Sequence, residues 1–281
     1  MTGRAVALSG ELGSGKSEVS SRLARALTAR RVSTGEAQRS IAHQRGISTL
    51  ELNRLAETDR TIDDEIDGVF RSLASTPDPL VVDSRLAWHF LPRSYKVHLV
   101  VDPRIGASRV LNRAGTNAEH YESLDLALES MAHRVESERR RFQELYGVDI
   151  FRLANYDLVV DTTQASPEEV TEAVLARWSG ASPARGRPEL LLSPERIGGA
   201  EGDWHEDEAG SDEAGLLGVL EDEVRQHGIS SLEPIVVDYR RPEFTLVDGR
   251  RQLRVAGRCD LVLLPAVLAD ETGTEGGDAG S

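Results

Sequence analysis

Residues 10–17 read GELGSGKS and match the phosphate-binding pattern G-x-x-x-x-G-K-[ST] at every fixed position. This pattern constrains the fold strongly, because it requires a strand, a glycine loop and a helix in that order. The apolar run Arg4–Ser9 precedes the loop, and residues 15–30 carry apolar side chains at helical spacing after it. Backbone N–H groups of such a loop point at an anion, and the following helix presents its positive N-terminus to the same anion. The sequence therefore predicts a site for the phosphates of a nucleoside triphosphate.

Two side chains of this loop carry its chemistry. Lys16 supplies a compact ammonium that would neutralise the transferring phosphoryl group, and Ser17 would place its hydroxyl on Mg²⁺. The predicted cofactors are therefore ATP and Mg²⁺. The predicted ATP-binding residues of the loop and the first helical turn are Gly10, Gly13, Ser14, Gly15, Lys16, Ser17 and Glu18.

The rest of the chain decides what the phosphate is used for. A GTPase needs a guanine-reading motif such as N-K-x-D, and the chain has none: Lys96, its only other lysine, stands between Tyr95 and Val97. A motor or transporter ATPase is normally larger than 281 residues. A kinase that acts on a small acceptor is the expected class.

The first 178 residues alternate strand and helix signals. Residues 79–83 and 96–102 are apolar runs typical of buried strands, and a long polar helix is expected over 123–146. A further apolar run, Tyr156–Asp161, precedes an N-cap signal that opens a helix ending near Trp178. This alternation predicts an α/β fold, a parallel sheet with helices on both faces. The glycine loop then lies at the carboxyl edge of the sheet, where such folds bind ligands.

Three further stretches indicate the acceptor side. The segment STGEAQR occupies residues 33–39, and VDSRLAW follows a predicted strand at 82–88. Asp63 and Asp67 are four residues apart on an acidic helix, where like charges repel, so either a cationic or hydrogen-bond-donating group faces them or they form a solvated face. The set Arg134, Glu138 and Arg141 shares one helix face and would either close over a phosphate or form surface salt bridges.

Residues 4–178 resemble the cytidylate kinases, closest to the archaeal-type branch. The resemblance rests on STGEAQR, on the acidic helix at residues 57–67, on LVVDSRLAW, on RVESERRRFQELYGVDI and on NYDLVVDT. It covers nearly all of this first domain in order. It implies a P-loop nucleoside monophosphate kinase fold that transfers a phosphoryl group from ATP to CMP or dCMP.

The resemblance also implies roles for individual residues. Arg85 would hold the acceptor phosphate, and Asp83 would lie near Mg²⁺ or the base. The implied catalytic residues are Lys16, Arg85, Arg134 and Arg141, and Arg109 and Arg113 are expected on the ATP side. The implied acceptor-binding residues are Thr34, Arg39, Asp63, Asp83, Arg85 and Glu138, and the implied metal ligands are Ser17 and Asp83.

The chain departs from the family beside the acceptor pocket. The family pattern reads [DE]-G-R, whereas this chain has Asp83-Ser84-Arg85, and Trp88-His89-Phe90 add bulk just beyond. Phosphoryl transfer remains the expected chemistry, but the acceptor stays open. A kinase with another small acceptor and a nucleotide-gated regulator are the alternatives.

A second domain is expected after a linker at 179–189. Residues 190–270 resemble the N-terminal module of ParB-like and sulfiredoxin-like proteins, a small α+β domain, and 271–281 read as a disordered tail. By that resemblance a helix N-terminus binds nucleotide phosphates. Cys259 lies beyond the motif in which sulfiredoxin has its catalytic cysteine, so a binding module for a regulatory nucleotide is expected instead of a second enzyme. The predicted anion site consists of Gly249, Arg250, Arg251 and Arg254; the alternative is that these arginines are surface charges.

Composition limits the partners. The net charge of −14 argues against nucleic acid, whose phosphate backbone needs a positive surface. No apolar run is long enough to span a bilayer, and the strand that opens at Arg4 leaves no room for a secretory signal. The single cysteine, Cys259, cannot form an internal disulfide, which favours a reducing cytoplasm.

Overall fold

The computed structural model describes residues 5–48, 51–52, 55, 59–74, 76, 78–112, 121–178, 187–199 and 211–269. The chain divides into two units, Met1–Pro188 and Glu189–Ser281. In the described part of the chain, no helix is both long and apolar enough to cross a membrane.

The first unit is built on a parallel sheet with the strand order β2-β3-β1-β4-β5. Its strands are β1 (Ala5–Gly10), β2 (Arg30–Ser33), β3 (Leu80–Asp83), β4 (Tyr95–Val100) and β5 (Leu158–Asp161). The strands β3 and β5 both read LVVD and are buried along their whole length, as expected of strands covered on both faces. The predicted fold class, a mixed α/β fold with a mostly parallel sheet and helices, is confirmed.

Helices connect these strands. They are α1 (Lys16–Ala26), α2 (Thr34–Arg45), α3 (Arg60–Leu73), α4 (Ala87–Phe90), α5 (Pro103–Leu111), α6 (Leu124–Tyr146) and α7 (Pro167–Trp178). Local sequence sets their ends: Ser33 and Glu36 form a capping box at the start of α2, and Ser123 caps the start of α6. Gly147 ends α6 in the left-handed conformation, with φ of 67°.

Several elements of this unit have no counterpart in the sequence prediction, among them β2 and α5. The strand β2 has only four residues and begins with two arginines, so its apolar signal is too short to recognise. The helix α5 was also missed, although Asp102 caps it and Pro103 occupies its first position. Both elements contribute to the site described below.

Within the second unit the strand order is β6-β10-β8-β9-β7. Its elements are β6 (Glu189–Leu192), β7 (Ile197–Gly198), α8 (Ser211–His227), β8 (Ile235–Arg240), β9 (Glu243–Asp248), α9 (Arg250–Arg258) and β10 (Leu264–Leu268). The strands β8 and β9 form an antiparallel hairpin, whereas β10 runs parallel to β8. Most of the predicted linker and the whole of the predicted tail lie outside the described residues.

Candidate active site

The glycine loop joins β1 to α1 and is shaped by its glycines. Gly13 and Gly15 have φ of 78° and 74°, in the left-handed region that favours glycine. A β-carbon on Gly13 would lie 2.3 Å from the carbonyl oxygen of Gly106 in α5, so only glycine fits this close approach. Gly15 caps α1, and the first-turn N–H groups of a helix have no partner within the helix. The loop therefore has the geometry that an anion-binding strand–loop–helix unit requires.

Three of the predicted ATP-binding side chains make contacts of their own. The guanidinium of Arg109 donates to the carbonyl oxygens of Thr162 at 2.8 Å and Thr163 at 3.0 Å, which links α5 to the loop after β5. The carboxylate of Glu18 accepts a hydrogen bond from Arg22 at 2.9 Å on the helix surface. The hydroxyl of Ser14 donates to the carbonyl of Glu11 at 2.8 Å. Arg113 lies outside the described residues.

Lys16 contacts Asp83 at the carboxyl edge of the sheet. Its Nζ lies 3.0 Å from Asp83 Oδ1, because β1 and β3 are parallel neighbours with Leu8 opposite Asp83. Burial lowers the pKa of Lys16, and the Asp83 carboxylate acts against this shift. Burial alone would raise the pKa of Asp83, but Lys16 and Arg31 outweigh it and the pKa is lowered. The pair is therefore an ammonium–carboxylate ion pair within the phosphate-binding region.

A cavity of about 490 Å³ lies beside this ion pair. The residues that the sequence assigned to catalysis and to the acceptor all line it: Lys16, Thr34, Arg39, Asp63, Asp83, Arg85, Arg134, Glu138 and Arg141. They come from α1, α2, α3, α6 and the carboxyl end of β3, so only the folded sheet brings them together. Their individual roles stay predictions.

Most cations of this cavity are paired with carboxylates. Glu138 of α6 forms ion pairs with Arg85 and with Arg134, the latter at 3.1 Å, and Arg141 pairs with Asp63 of α3. Within the part of the chain that the structure describes, Arg39 has no ion-pair partner. Burial and the neighbouring Arg134 lower the pKa of Arg85 to about 10, so Arg85 is still a cation at neutral pH. Such a cavity suits a ligand with anionic groups that replace the carboxylates.

One wall of the cavity is apolar, and sequence reasoning did not identify it. The rings of Phe70 and Phe90 are stacked with centroids 6.3 Å apart, and Tyr146 packs edge-on against Phe90 at 5.8 Å. Of the three bulky residues at 88–90, Phe90 lines the cavity, whereas Trp88 is buried against Tyr156. A planar, uncharged group of a ligand fits this apolar wall better than an anionic group would.

Asp67 is a buried carboxylate at the edge of this wall. Its oxygens accept from the Tyr146 hydroxyl at 3.1 Å and from Arg71 at 3.2 Å. Burial raises the pKa of Asp67 above its usual value, although Tyr146 and Arg71 act in the opposite direction. The folded chain therefore binds this proton more tightly than the unfolded chain, and folding loses stability as the pH rises from about 4 through the raised pKa.

We expect Asp67→Asn to remove this loss, because an asparagine oxygen still accepts from Tyr146 and carries no charge. Arg71 is 60% exposed, so the loss of its ion pair costs little. Urea unfolding should be measured at pH 4, 5.5 and 7. The free energy of unfolding of the variant, relative to that of the wild type, should increase as the pH rises. The exposed neighbour Asp64 gives the control Asp64→Asn, which should show no such trend. A constant difference between Asp67→Asn and the wild type at all three pH values would contradict the interpretation.

The predicted anion site of the second unit lies at the start of α9. Gly249 has φ of 98°, and a β-carbon there would lie 2.6 Å from the side chain of Ile235. Arg250 and Arg251 are exposed, and Arg254 is half-buried. The role of these residues stays a prediction.

The fold and the cavity together define a P-loop phosphotransferase, and comparisons with known proteins agree. A family model described as an AAA domain matches residues 6–142. The chain is 33% identical over 180 residues to a cytidylate kinase from Natronomonas pharaonis, covering 63% of this chain and 91% of that protein. It is 35% identical over 181 residues to a cytidylate kinase from Haloarcula marismortui, again covering 63% and 91%. The chain belongs to the cytidylate kinase family.

This relationship makes the chain a nucleoside monophosphate kinase-like phosphotransferase, a family that implies ATP as the phosphoryl donor. Among solved structures, a shikimate kinase from Bacteroides thetaiotaomicron is 13% identical, with a TM-score of 0.44, and covers 61% of this chain and 94% of that chain. This similarity is too low to carry an argument about function.

The second unit has weaker relationships. A CTP-γ-S complex of the partitioning protein ParB from Caulobacter crescentus is 24% identical, covers 30% of this chain and 44% of that chain, and has a TM-score of 0.22. That score carries no argument, so the ParB-like resemblance of residues 190–270 is not established by structure.

Proposed function

We propose that the first unit transfers the γ-phosphoryl group of ATP to CMP or dCMP and forms the nucleoside diphosphate. The observation that carries this proposal is the cavity beside Lys16, which combines arginines, carboxylates and an aromatic wall. These three kinds of side chain match the phosphate, the amino-bearing base and the flat ring of a cytosine nucleotide. The names of the cytidylate kinase relatives support the same acceptor.

On the donor side, the loop N–H groups and Lys16 bind the β- and γ-phosphates in this proposal. Lys16 leaves Asp83 and contacts the phosphoryl group that is transferred, where its charge compensates the charge of the transition state. Glu18 and Arg109 flank the triphosphate and the nucleoside.

Mg²⁺ fits the oxygen atoms present at this site. Mg²⁺ binds hard oxygen ligands and usually takes one or two protein groups together with substrate phosphates. The Ser17 hydroxyl and the Asp83 carboxylate line the same cavity and are the groups that would hold it. When bound, the ion neutralises phosphate charge, and the residues named here orient the two nucleotides.

On the acceptor side, Arg39 and Arg85 bind the acceptor phosphate. Arg39 is the exposed arginine of the cavity without an ion pair among the described residues, and Arg85 is half-buried two residues after β3. Without ligands, Glu138 is paired with Arg85 and Arg134. In this proposal, the acceptor phosphate and the phosphoryl group that is transferred replace Glu138 as the partners of these arginines. Arg134 and Arg141, on the same face of α6, then stabilise the charge that develops in transfer.

Asp63 gives the proposal its preference for cytosine. One of its oxygens is paired with Arg141, and the other is available at the cavity beside the aromatic wall. A carboxylate only accepts hydrogen bonds, so it pairs with the amino group of cytosine and repels the carbonyl of uracil.

We therefore expect Asp63→Asn to lower kcat/KM for CMP relative to UMP by about 10- to 100-fold, because a hydrogen bond to a charged group contributes about 1.5–3 kcal/mol. Steady-state rates with both acceptors measure this ratio. The exposed residue Asp64 provides the matched control Asp64→Asn, which should keep the wild-type ratio. An unchanged ratio in Asp63→Asn would show that Asp63 does not read the base.

A thermal-shift screen tests the acceptor without assuming it. With a non-hydrolysable ATP analogue present, CMP and dCMP should raise Tm more than UMP, AMP or shikimate. Because Asp83-Ser84-Arg85 departs from the family pattern, the screen includes other acceptors. A larger increase in Tm with a compound that is not a cytosine nucleotide would favour a kinase with another acceptor.

A further inference from the structure

Arg31 on β2 connects three elements of the first unit. Its Nε donates to the Ser20 hydroxyl of α1 at 2.7 Å, and its Nη2 donates to Asp83 Oδ2 at the end of β3 at 2.9 Å. Its Nη1 donates to Glu36 Oε1 of α2 at 3.1 Å. The side chain is 24% exposed, so the guanidinium is held in a largely enclosed position. A planar guanidinium presents its donors in a fixed fork that spans partners on three different elements, whereas an ammonium is a compact point charge.

Of the three partners of Arg31, Asp83 lines the cavity, and Ser20 and Glu36 belong to α1 and α2, the helices that carry the cavity residues Lys16 and Thr34. Asp83 is the carboxylate that also holds Lys16, through its other oxygen. Ser20 is fully buried one turn beyond the glycine loop, and its hydroxyl lies 2.9 Å from the carbonyl of Ser17. Glu36 uses its second oxygen to accept the N–H of Ser33, which completes the cap of α2 beside Thr34. One cation thus joins the carboxylate that holds Lys16 to the start of the acceptor-side helix.

The contact between Arg31 and Asp83 affects the charge balance around Asp83. Asp83 is buried and has two cationic partners, Lys16 and Arg31. When Lys16 moves to a phosphate, Asp83 loses one of these two cations until the proposed Mg²⁺ reaches it, and a buried carboxylate without compensation is strongly unfavourable. Arg31 keeps Asp83 compensated, so that Lys16 can exchange its carboxylate for the phosphate at a smaller cost.

We infer that Arg31 is a positioning residue for phosphoryl transfer, which holds Asp83 and the start of α2 in place and so releases Lys16 to the phosphates of the donor. This inference rests on the proposed use of Lys16 by the donor nucleotide, but it does not depend on which acceptor is phosphorylated. Arg31 itself contacts neither phosphate in this role.

Arg30 offers a matched control. It is the neighbouring residue of β2, carries the same charge, is exposed, and has no ion-pair partner among the described residues. Arg30→Gln therefore makes the same chemical change to the chain without touching Asp83, Ser20 or Glu36.

The test measures the Kd of a non-hydrolysable ATP analogue for the full chain by calorimetry, with thermal melts to show that each variant is folded. Arg31→Gln should weaken binding on the order of tenfold, because Asp83 then holds Lys16 more strongly. Arg30→Gln should match the wild type. Arg31→Lys, which keeps a cation near Asp83 but loses the fork, should have an intermediate Kd.

The decisive comparison repeats the substitution in the Asp83→Asn background and is made without Mg²⁺ for every variant, because Asp83 is also a proposed metal ligand. With no carboxylate to compete for Lys16, Arg31→Gln should change the Kd by less than about twofold. An undiminished effect in that background, or an Arg31→Gln variant that binds like Arg30→Gln, would overturn the inference. A Kd for Arg31→Lys equal to that of Arg31→Gln would also count against a role of the charge. Failure of the proposed acceptor would appear only in transfer assays and would leave these binding results intact.

Discussion

Replacing Lys16 by methionine is expected to lower kcat by about 10³-fold, because the proposed transfer places the growing charge of the phosphoryl group on this ammonium. The Nζ atom of Lys16 lies 3.0 Å from Asp83, at the N-terminus of α1, where no other side chain cation of the loop is available. Lys16→Arg should not restore the rate, since a planar guanidinium fits poorly where a compact charge is needed. A coupled assay of ADP release with CMP as the acceptor measures the effect.

The chain contains a matched control for this substitution. Lys96, its only other lysine, lies on β4 outside the cavity, so Lys96→Met should keep the wild-type rate. A Lys16→Met enzyme within fivefold of the wild type would refute the role of Lys16.

Replacing Arg85 by alanine should lower kcat/KM by about 10²- to 10³-fold. Arg85 is a half-buried cation just after β3, and its removal takes away a proposed contact to the acceptor phosphate. Because that contact is lost, part of the decrease in kcat/KM should appear as a higher KM for CMP. Among its two arginine partners, Glu138 then keeps Arg134. Initial rates over a range of CMP concentrations separate KM from kcat.

Arg93→Ala is the control for Arg85→Ala, because Arg93 is exposed in the turn before β4. Arg85→Ala should lower kcat/KM more for a phosphorylated acceptor than for an acceptor without phosphate. If the variant loses the same factor with every acceptor, Arg85 does not recognise the acceptor phosphate.

The donor half of the site could be predicted from sequence, because it is local. The glycine loop, Lys16 and Ser17 are consecutive residues, and the strand before them and the helix after them carry clear periodicity. The arginine and carboxylate residues of the acceptor half were assigned through family resemblance, and they do line one cavity. The sequence left open that a cation faces Asp63 and that Glu138 forms a salt bridge within α6, and the structure shows both contacts. The contact of Glu138 with Arg85 was not predicted, because it depends on how α6 packs.

The contributions of β2, α5 and the aromatic wall required the structure. Arg31 reaches Asp83 only because Ser33 and Asp83 are opposite each other in parallel strands, and 52 residues separate Arg31 from Asp83 along the chain. Gly106 faces the glycine loop so closely that a β-carbon would lie 2.8 Å from the carbonyl of Leu12, yet a single glycine in a helix carries no signal for this. Phe70 and Phe90 lie on different helices, so no spacing in the sequence indicates that they stack.

The identity of the phosphorylated product tests the central claim most directly. The full chain should be incubated with ATP, Mg²⁺ and an equimolar panel of CMP, dCMP, UMP, AMP and shikimate, with the Lys16→Met variant as the blank, and the products separated and identified by mass. We expect CDP and dCDP to form first, with one ADP released for each. Formation of no pyrimidine diphosphate, or phosphorylation of another acceptor ahead of CMP and dCMP, would contradict the account.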